Sequence, residues 1–180
     1  MMKRVLILGS PGAGKSTFAR KLQSKTKLPL VYMDQLFWHA NKTTVSKHEL
    51  DEKVKRIVAK PAWIMDGNYQ RTLKYRLPKC DTIFWLDYPT EVCLAGVKAR
   101  KGKPRPDLPW IEEDEDPEFM SYIAKFRTVQ RPILVKELQK YPNKQIIVFH
   151  SRQEANLFLH KISRSLYFIL AKKQICSCTK

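Results

Sequence analysis

The 180-residue sequence has no long apolar run: its longest late one, Leu166 to Ala171, falls far short of the roughly 20 residues a membrane helix needs. The apolar run near the N-terminus is equally short and leads directly into a glycine-rich segment, so it does not read as a secretory leader. Cysteine is sparse too. Cys80 and Cys93 flank a predicted core strand, and Cys176 and Cys178 form a C-x-C pair with no second ligand pair, so neither a disulfide framework nor a zinc site is expected. There is no zinc-finger, RNP or basic-zipper pattern and no internal repeat. Acids are scarce: 17 Asp and Glu face 34 Lys and Arg, giving +17. Six of those acids (Glu112, Glu113, Asp114, Glu115, Asp116 and Glu118) crowd into one short stretch. These features point to a cytoplasmic protein with reduced thiols. The excess base fits a groove built for polyphosphate and leaves nucleic acid open as a partner.

Glycine is also uncommon, six residues in all, yet Gly9, Gly12 and Gly14 fall close together. Gly9-Ser10-Pro11-Gly12-Ala13-Gly14-Lys15-Ser16-Thr17 fits G-x-x-x-x-G-K-[ST]. The apolar strand Val5 to Leu8 precedes it and a helical stretch follows, which is the context the motif requires. Glycines let backbone N–H groups turn inward around phosphate oxygens, and the helix N-terminus adds a favourable field. Lys15 is expected on the β- and γ-phosphates of ATP and the Ser16 hydroxyl on Mg²⁺.

Apolar runs alternate with helical patterns along the rest of the chain, the signature of a parallel sheet covered on both faces. The predicted strands are Arg4–Leu8, Leu30–Met33, Trp63–Met65, Thr82–Leu86 and Gln145–Phe149. The predicted helices are Lys15–Lys25, Lys47–Ala59, Thr90–Arg100, Phe119–Lys140 and Arg152–Ile162. Pro132 should kink or divide the long one near Thr128 to Arg131. Residues 100–117 carry four prolines, a glycine and dense charge, which argues against a stable element and for a lid over the triphosphate. Its acidic block is expected to stay outside, with Asp116-Pro117 starting the next helix. The architecture expected is a three-layer α/β P-loop NTPase fold with a five-stranded parallel sheet. The domain spans 1–163, its lid is 100–117, and residues 164–180 form a basic tail.

Trp63-Ile64-Met65-Asp66 reads as a strand ending in the carboxylate that holds the water shell of Mg²⁺, and Gly67 permits a sharp turn after it. Asp34, at the end of the second strand, could orient or deprotonate an acceptor hydroxyl, or merely cap a loop. Arg100, Arg105, Arg127 and Arg131 are candidates for stabilising charge on a transferred phosphoryl group, since the guanidinium fork binds oxygens bidentately and stays charged. The loop around His150, Ser151 and Arg152 is the candidate adenine site. Asp87 and His39 read as structural and surface residues.

Gly9–Thr17, Asp34 to Trp38, Trp63 to Tyr69, Ile83 to Pro89, Arg105-Pro106-Asp107 and Lys125 to Pro132 together resemble the bacterial DNA topology modulation protein family. The likeness covers about residues 3–162, and that family is similar to adenylate kinase and other small P-loop kinases. The resemblance implies a nucleoside-monophosphate-kinase-like fold, an acceptor-binding loop opened by Asp66-Gly67, and an Arg-rich lid after the fourth strand. Asp66-Gly67 continues as Asn68-Tyr69 rather than the Phe-Pro-Arg usual in adenylate kinases, which argues against AMP as acceptor. The function implied is ATP-dependent, Mg²⁺-requiring phosphoryl transfer to a small molecule or nucleotide. The alternative is an ATP-dependent nucleic-acid-binding protein. A GTPase is set aside, because Asn143-Lys144-Gln145 is followed by Ile146 rather than Asp.

Overall fold

A computed structural model describes residues 2–162; the basic tail lies outside the described residues. Five strands, β1 (Arg4–Gly9), β2 (Leu30–Tyr32), β3 (Trp63–Asp66), β4 (Thr82–Leu86) and β5 (Gln145–Phe149), form one sheet in the order β2-β3-β1-β4-β5. Every pairing is parallel, as the near-continuous apolar strands require when both faces are covered. Because alternate residues point to opposite faces, β1 divides its side chains between two cores. Val5 and Ile7 join Phe18, Ala19 and Leu22 of α1 (Lys15–Thr26) and Ala155 and Leu159 of the last helix, Arg152–Lys161. Leu6 and Leu8 join Leu50, Val54 and Val58 of Lys47–Val58, together with Leu134 and Leu138 of Arg131–Gln139. The result is the three-layer α/β P-loop arrangement expected from the pattern.

Three local differences from the sequence reading matter. The segment expected to finish β2 as a strand instead turns at Met33 into a short helix, α2 (Met33–Phe37), so Asp34 sits in its first turn rather than at a strand end. Between β3 and β4, a 3-10 turn (Gln70–Thr72) and a short helix (Leu73–Arg76) fold back against the sheet. The long predicted helix is divided near Thr128 to Arg131, as Pro132 indicated, but into three pieces: Pro117–Ala124, a π turn over Phe126–Gln130 that the pattern did not disclose, and Arg131–Gln139 with Pro132 in its first turn. Proline has no N–H to continue the preceding ladder, and the first turn of a new helix is where that costs least.

Because β1 is central, the chain leaves it for β2 and β3 on one side and returns for β4 and β5 on the other. A crevice opens at the carboxyl ends of the strands where the direction of winding reverses, the place where such sheets bind ligands.

Candidate nucleotide and acceptor site

A cleft of about 780 Å³ occupies that crevice. Its floor is the loop from Pro11 to Thr17. Gly12 has φ +79°, and a Cβ there would lie 2.0 Å from the Cys93 carbonyl oxygen, so only glycine lets the loop pack so closely on the helix Thr90–Lys98. Three other helices are closed by side-chain caps: Ser46, Asp116 and Ser151 each accept a backbone N–H bond. Gly14 precedes α1 without one, so the first-turn amides of α1 remain available to an anion. Lys15 Nζ donates to the carbonyls of Gly9 (3.1 Å) and Ser10 (3.0 Å). Burial lowers its pKa, opposed by the nearby carboxylates of Asp66 and Asp34.

Asp66 ends β3 beside Ile7 of β1 and is 5% exposed. Its Oδ1 is buried without a hydrogen-bond partner, a costly state for a carboxylate that has no cation or water shell to hold. Burial raises its pKa to about 6, with Lys15 pulling the other way. Among the described residues no group of three or more His, Cys, Asp or Glu side chains converges on a metal position. Mg²⁺ needs no such cage, since it is commonly held by one or two carboxylates with water and phosphate oxygens. Ser16, Asp66 and the open amides of the loop therefore fit Mg·ATP.

The raised pKa has a consequence for stability. The folded protein disfavours ionised Asp66 relative to the unfolded chain, whose carboxyl titrates near 3.8. The penalty begins above pH 4 and is complete above about 6. Asp66→Asn should therefore stabilise the ligand-free protein above pH 6, by at most about 3 kcal/mol at 1.36 kcal/mol per unit, and do nothing below pH 4. Thermal unfolding of both proteins from pH 4 to 8 checks this; a difference independent of pH would refute it.

The turn after Asp66 is built from residues whose pairing the sequence did not disclose. Gly67 has φ +125°, where a side chain would be strained. The Asn68 carboxamide clasps the first loop glycine: its Oδ1 accepts from Gly9 N–H (3.0 Å) and its Nδ2 donates to Gly9 O (2.7 Å). Beneath lies Arg76, fully buried, donating to the carbonyls of Gly67 (2.7 Å), Asn68 and Tyr69 (3.2 Å). Tyr69, at φ +34°, directs its hydroxyl to Asp34 Oδ1 at 2.6 Å. Burial and the Asp34 charge both raise the Tyr69 pKa, so it is the donor of that bond.

Residues 99–116 contain no helix or strand, yet the segment is not loose. Gly102 N–H donates to Glu112 O, tying its two sides together. Asp107, 4% exposed, reaches the phosphate loop, where Ser16 Oγ donates to it at 3.0 Å. Arg20 and Arg105 also stand 3.5 Å from its oxygens. Arg100 and Arg105 both line the cleft, and both pair with Glu112, at 2.8 and 3.4 Å. The acidic block thus does not lie wholly outside. Glu112 turns inward because these two half-buried guanidinium groups need a counter-charge. Asp116 and Pro117 start the next helix as the sequence indicated.

Arg127 and Arg131 do not come to the cleft. Arg127 is exposed on the π turn, and Arg131 forms a bidentate pair with Asp87 (2.8 and 3.0 Å) over the Trp85 ring. Asp87 is buried in that pair. Of the proposed adenine loop, Arg152 lines the cleft and bonds the carbonyls of Gly12 and Val92. Ser151 caps its helix by accepting from Glu154 N–H, and His150 is exposed. Asn68, Arg76, Asp107 and Glu112 are the site residues that sequence reasoning missed. Only Asp107 had a local signal, its place directly after Arg105-Pro106.

The sheet order and the glycine-lysine loop at the mouth of β1 define an α/β P-loop NTPase fold. Comparison with solved structures agrees: shikimate kinase from Acinetobacter baumannii, in complex with shikimate, aligns with a TM-score of 0.60 over 97% of both chains at 15% identity. The shikimate kinase from Bacteroides thetaiotaomicron gives 0.58 over 89% of this chain and 95% of that one, also at 15%. In sequence, the adenylate kinase of Thermotoga neapolitana is 36% identical over 98 residues, 53% of this chain and 44% of that protein. The adenylate kinase of Thermosipho africanus is 31% identical over 119 residues, 62% and 54%. The chain spans about half the length of the curated relatives it matches. No family model matches it. Among the described residues no helix is long and apolar enough to cross a membrane.

Proposed function

We propose that this chain is an ATP-dependent, Mg²⁺-requiring phosphotransferase acting on a small molecule, and that it belongs with the topology modulation proteins its motifs resemble. The observation that carries the reading is the facing arrangement in one cleft: a complete phosphate loop with Lys15 and Asp66 on one side, and on the other Asp34, whose Oδ2 accepts no hydrogen bond among the described residues. The similarity to adenylate kinases supports it, and those relatives do not favour the alternative of a nucleic-acid-binding ATPase.

In this reading the loop amides and Lys15 hold the β- and γ-phosphates, and Arg152 borders the base. When bound at Ser16 Oγ, with Asp66 holding its water shell, Mg²⁺ would offset charge on the phosphate oxygens. Asp34 Oδ1 is fixed by the Tyr69 hydroxyl, and among the described residues Oδ2 accepts no hydrogen bond. An acceptor hydroxyl can donate there, and Asp34 then orients it and takes its proton as the oxygen attacks. Arg100 and Arg105 exchange Glu112 and Asp107 for phosphate oxygens, and the lid they belong to excludes water from the transfer. The test is ADP formation from ATP in the presence of acceptors. Turnover should require Mg²⁺ and stop on chelation with EDTA; ADP formation unaffected by EDTA, or no binding of Mg·ATP, would overturn the proposal.

A further inference from the structure

The cleft is divided by charge. Its lining cations are Lys15, Arg20, Lys21, Arg100, Arg105 and Arg152. Lys15 belongs to the phosphate loop. Arg20 and Lys21 stand on α1 and bond Thr17 and Asn156, and Arg152 bonds the Gly12 carbonyl. Arg100 and Arg105 are on the lid, paired with Glu112 and Asp107. All six therefore belong to the phosphate loop, the helices beside it or the lid.

The opposite wall, made by α2 and the turn after β3, carries no cation that lines the cleft among the described residues. Its charge is the Asp34 carboxylate. Its surface is aromatic: the Phe37 ring meets Trp38 at 5.0 Å and Tyr69 at 5.2 Å between centroids. Trp110, carried by the lid, stands edge-on to Trp38 at 4.9 Å. The other polar side chains of this wall are largely committed already. The Asn68 carboxamide is spent on Gly9, the Tyr69 hydroxyl on Asp34, and Arg76 on three carbonyls. A phosphate-bearing acceptor would set two negative charges beside Asp34, where the cations within reach, Lys15 and the lid arginines, are the ones this reading assigns to the phosphates of ATP. A neutral ring compound meets the wall on its own terms, with its ring against the aromatic side chains and one hydroxyl on Asp34 Oδ2.

We infer that the acceptor is a neutral, hydroxyl-bearing molecule built on a planar ring, of the nucleoside kind, and not a nucleoside monophosphate. The inference rests on the phosphotransferase reading and narrows it. The reaction forms a bond between the acceptor oxygen and the γ-phosphorus of ATP and breaks the bond to ADP, while the hydroxyl proton passes to Asp34.

The experiment uses the full chain with Mg·ATP. ADP release is measured with adenosine, cytidine, uridine and thymidine, with the corresponding 5′-monophosphates, and with benzyl alcohol as a ring compound that has no sugar. At least one neutral compound should be turned over with a kcat/KM tenfold or more above that of its monophosphate. Trp38→Ala should raise its KM about tenfold with little change in kcat, and Asp34→Asn should lower kcat instead. Trp38→Lys, which adds a cation to the wall, should shift preference toward the monophosphate. Faster turnover of a monophosphate by the unmodified protein overturns the inference, as does Mg·ATP binding with none of the neutral compounds turned over. In both cases nucleotide binding itself stands. Failure to bind Mg·ATP would instead remove the phosphotransferase reading, and this inference with it.

Discussion

Lys15→Ala should abolish measurable Mg·ATP binding while leaving the fold intact. In the ligand-free protein the ammonium group donates to two carbonyls of its own loop, Gly9 and Ser10, and burial disfavours its charge. Those bonds hold the side chain over the loop at some desolvation cost, which a polyphosphate would offset. Charge-assisted hydrogen bonds contribute about 1.5–3 kcal/mol each, so losing contacts to two phosphate groups should weaken binding by a hundredfold or more. The fold has little to lose, because Lys15 is not among the core side chains and its removal relieves a desolvated cation. Calorimetric titration of the variant with Mg·ATP, alongside circular dichroism and a thermal melt, provides the check. Unchanged affinity would sink the assignment; loss of affinity together with the fold would call for Lys15→Met, which preserves the side-chain stem.

Arg76→Ala should have the largest effect on stability of any substitution considered, about 3–5 kcal/mol. Arg76 is fully buried and among the described residues pairs with no carboxylate; it is held by the carbonyls of Gly67, Asn68 and Tyr69. Burial lowers its pKa to about 9. Truncation removes the guanidinium donor from the Gly67 and Asn68 carbonyls, while Tyr69 O keeps its bonds from Thr72, and opens a cavity of side-chain size beneath the turn. Tyr69, whose left-handed backbone is held by that turn, should then lose its alignment with Asp34. Urea unfolding measures the first effect. A loss below about 1 kcal/mol would mean that water replaces the guanidinium, and that the turn is held by the Asn68 clasp alone.

Much of this molecule can be read from its residues in order. The phosphate loop is a local motif with a fixed spacing, and each buried strand is a short apolar run, so both survive translation from sequence to structure. The Asp116-Pro117 helix start and the break at Pro132 are equally local, each decided by what a side chain or a missing N–H does to its immediate neighbours. The failures share a different cause. Arg76 carries no local signal: arginine in a basic chain is usually a solvated group, and its burial depends on carbonyls seven to nine residues away. Asp107 meets Ser16 across 91 positions, and Asn68 meets Gly9 across 59. Nothing in either neighbourhood announces the other. The α2 helix is five residues long, too short to nucleate by propensity; it continues directly from β2 and is held by contacts of Gln35 and Trp38 with Pro106 and Trp110. Arg127 and Arg131 share a spacing of four residues, but Asp87, just past the end of β4, offers Arg131 a buried carboxylate.

The edge-on contact of Trp38 with Trp110 gives the protein an optical gauge of its own. Of the four tryptophans, Trp63 and Trp85 are sealed in the core and should emit steadily whatever the cleft contains. Trp38 belongs to the aromatic wall and Trp110 to the segment proposed as a lid, so if that segment lifts as proposed their indoles separate. Emission colour and intensity from that pair should therefore report the proposed opening and closing in real time, without a dye, and replacing Trp110 by phenylalanine should silence most of the change.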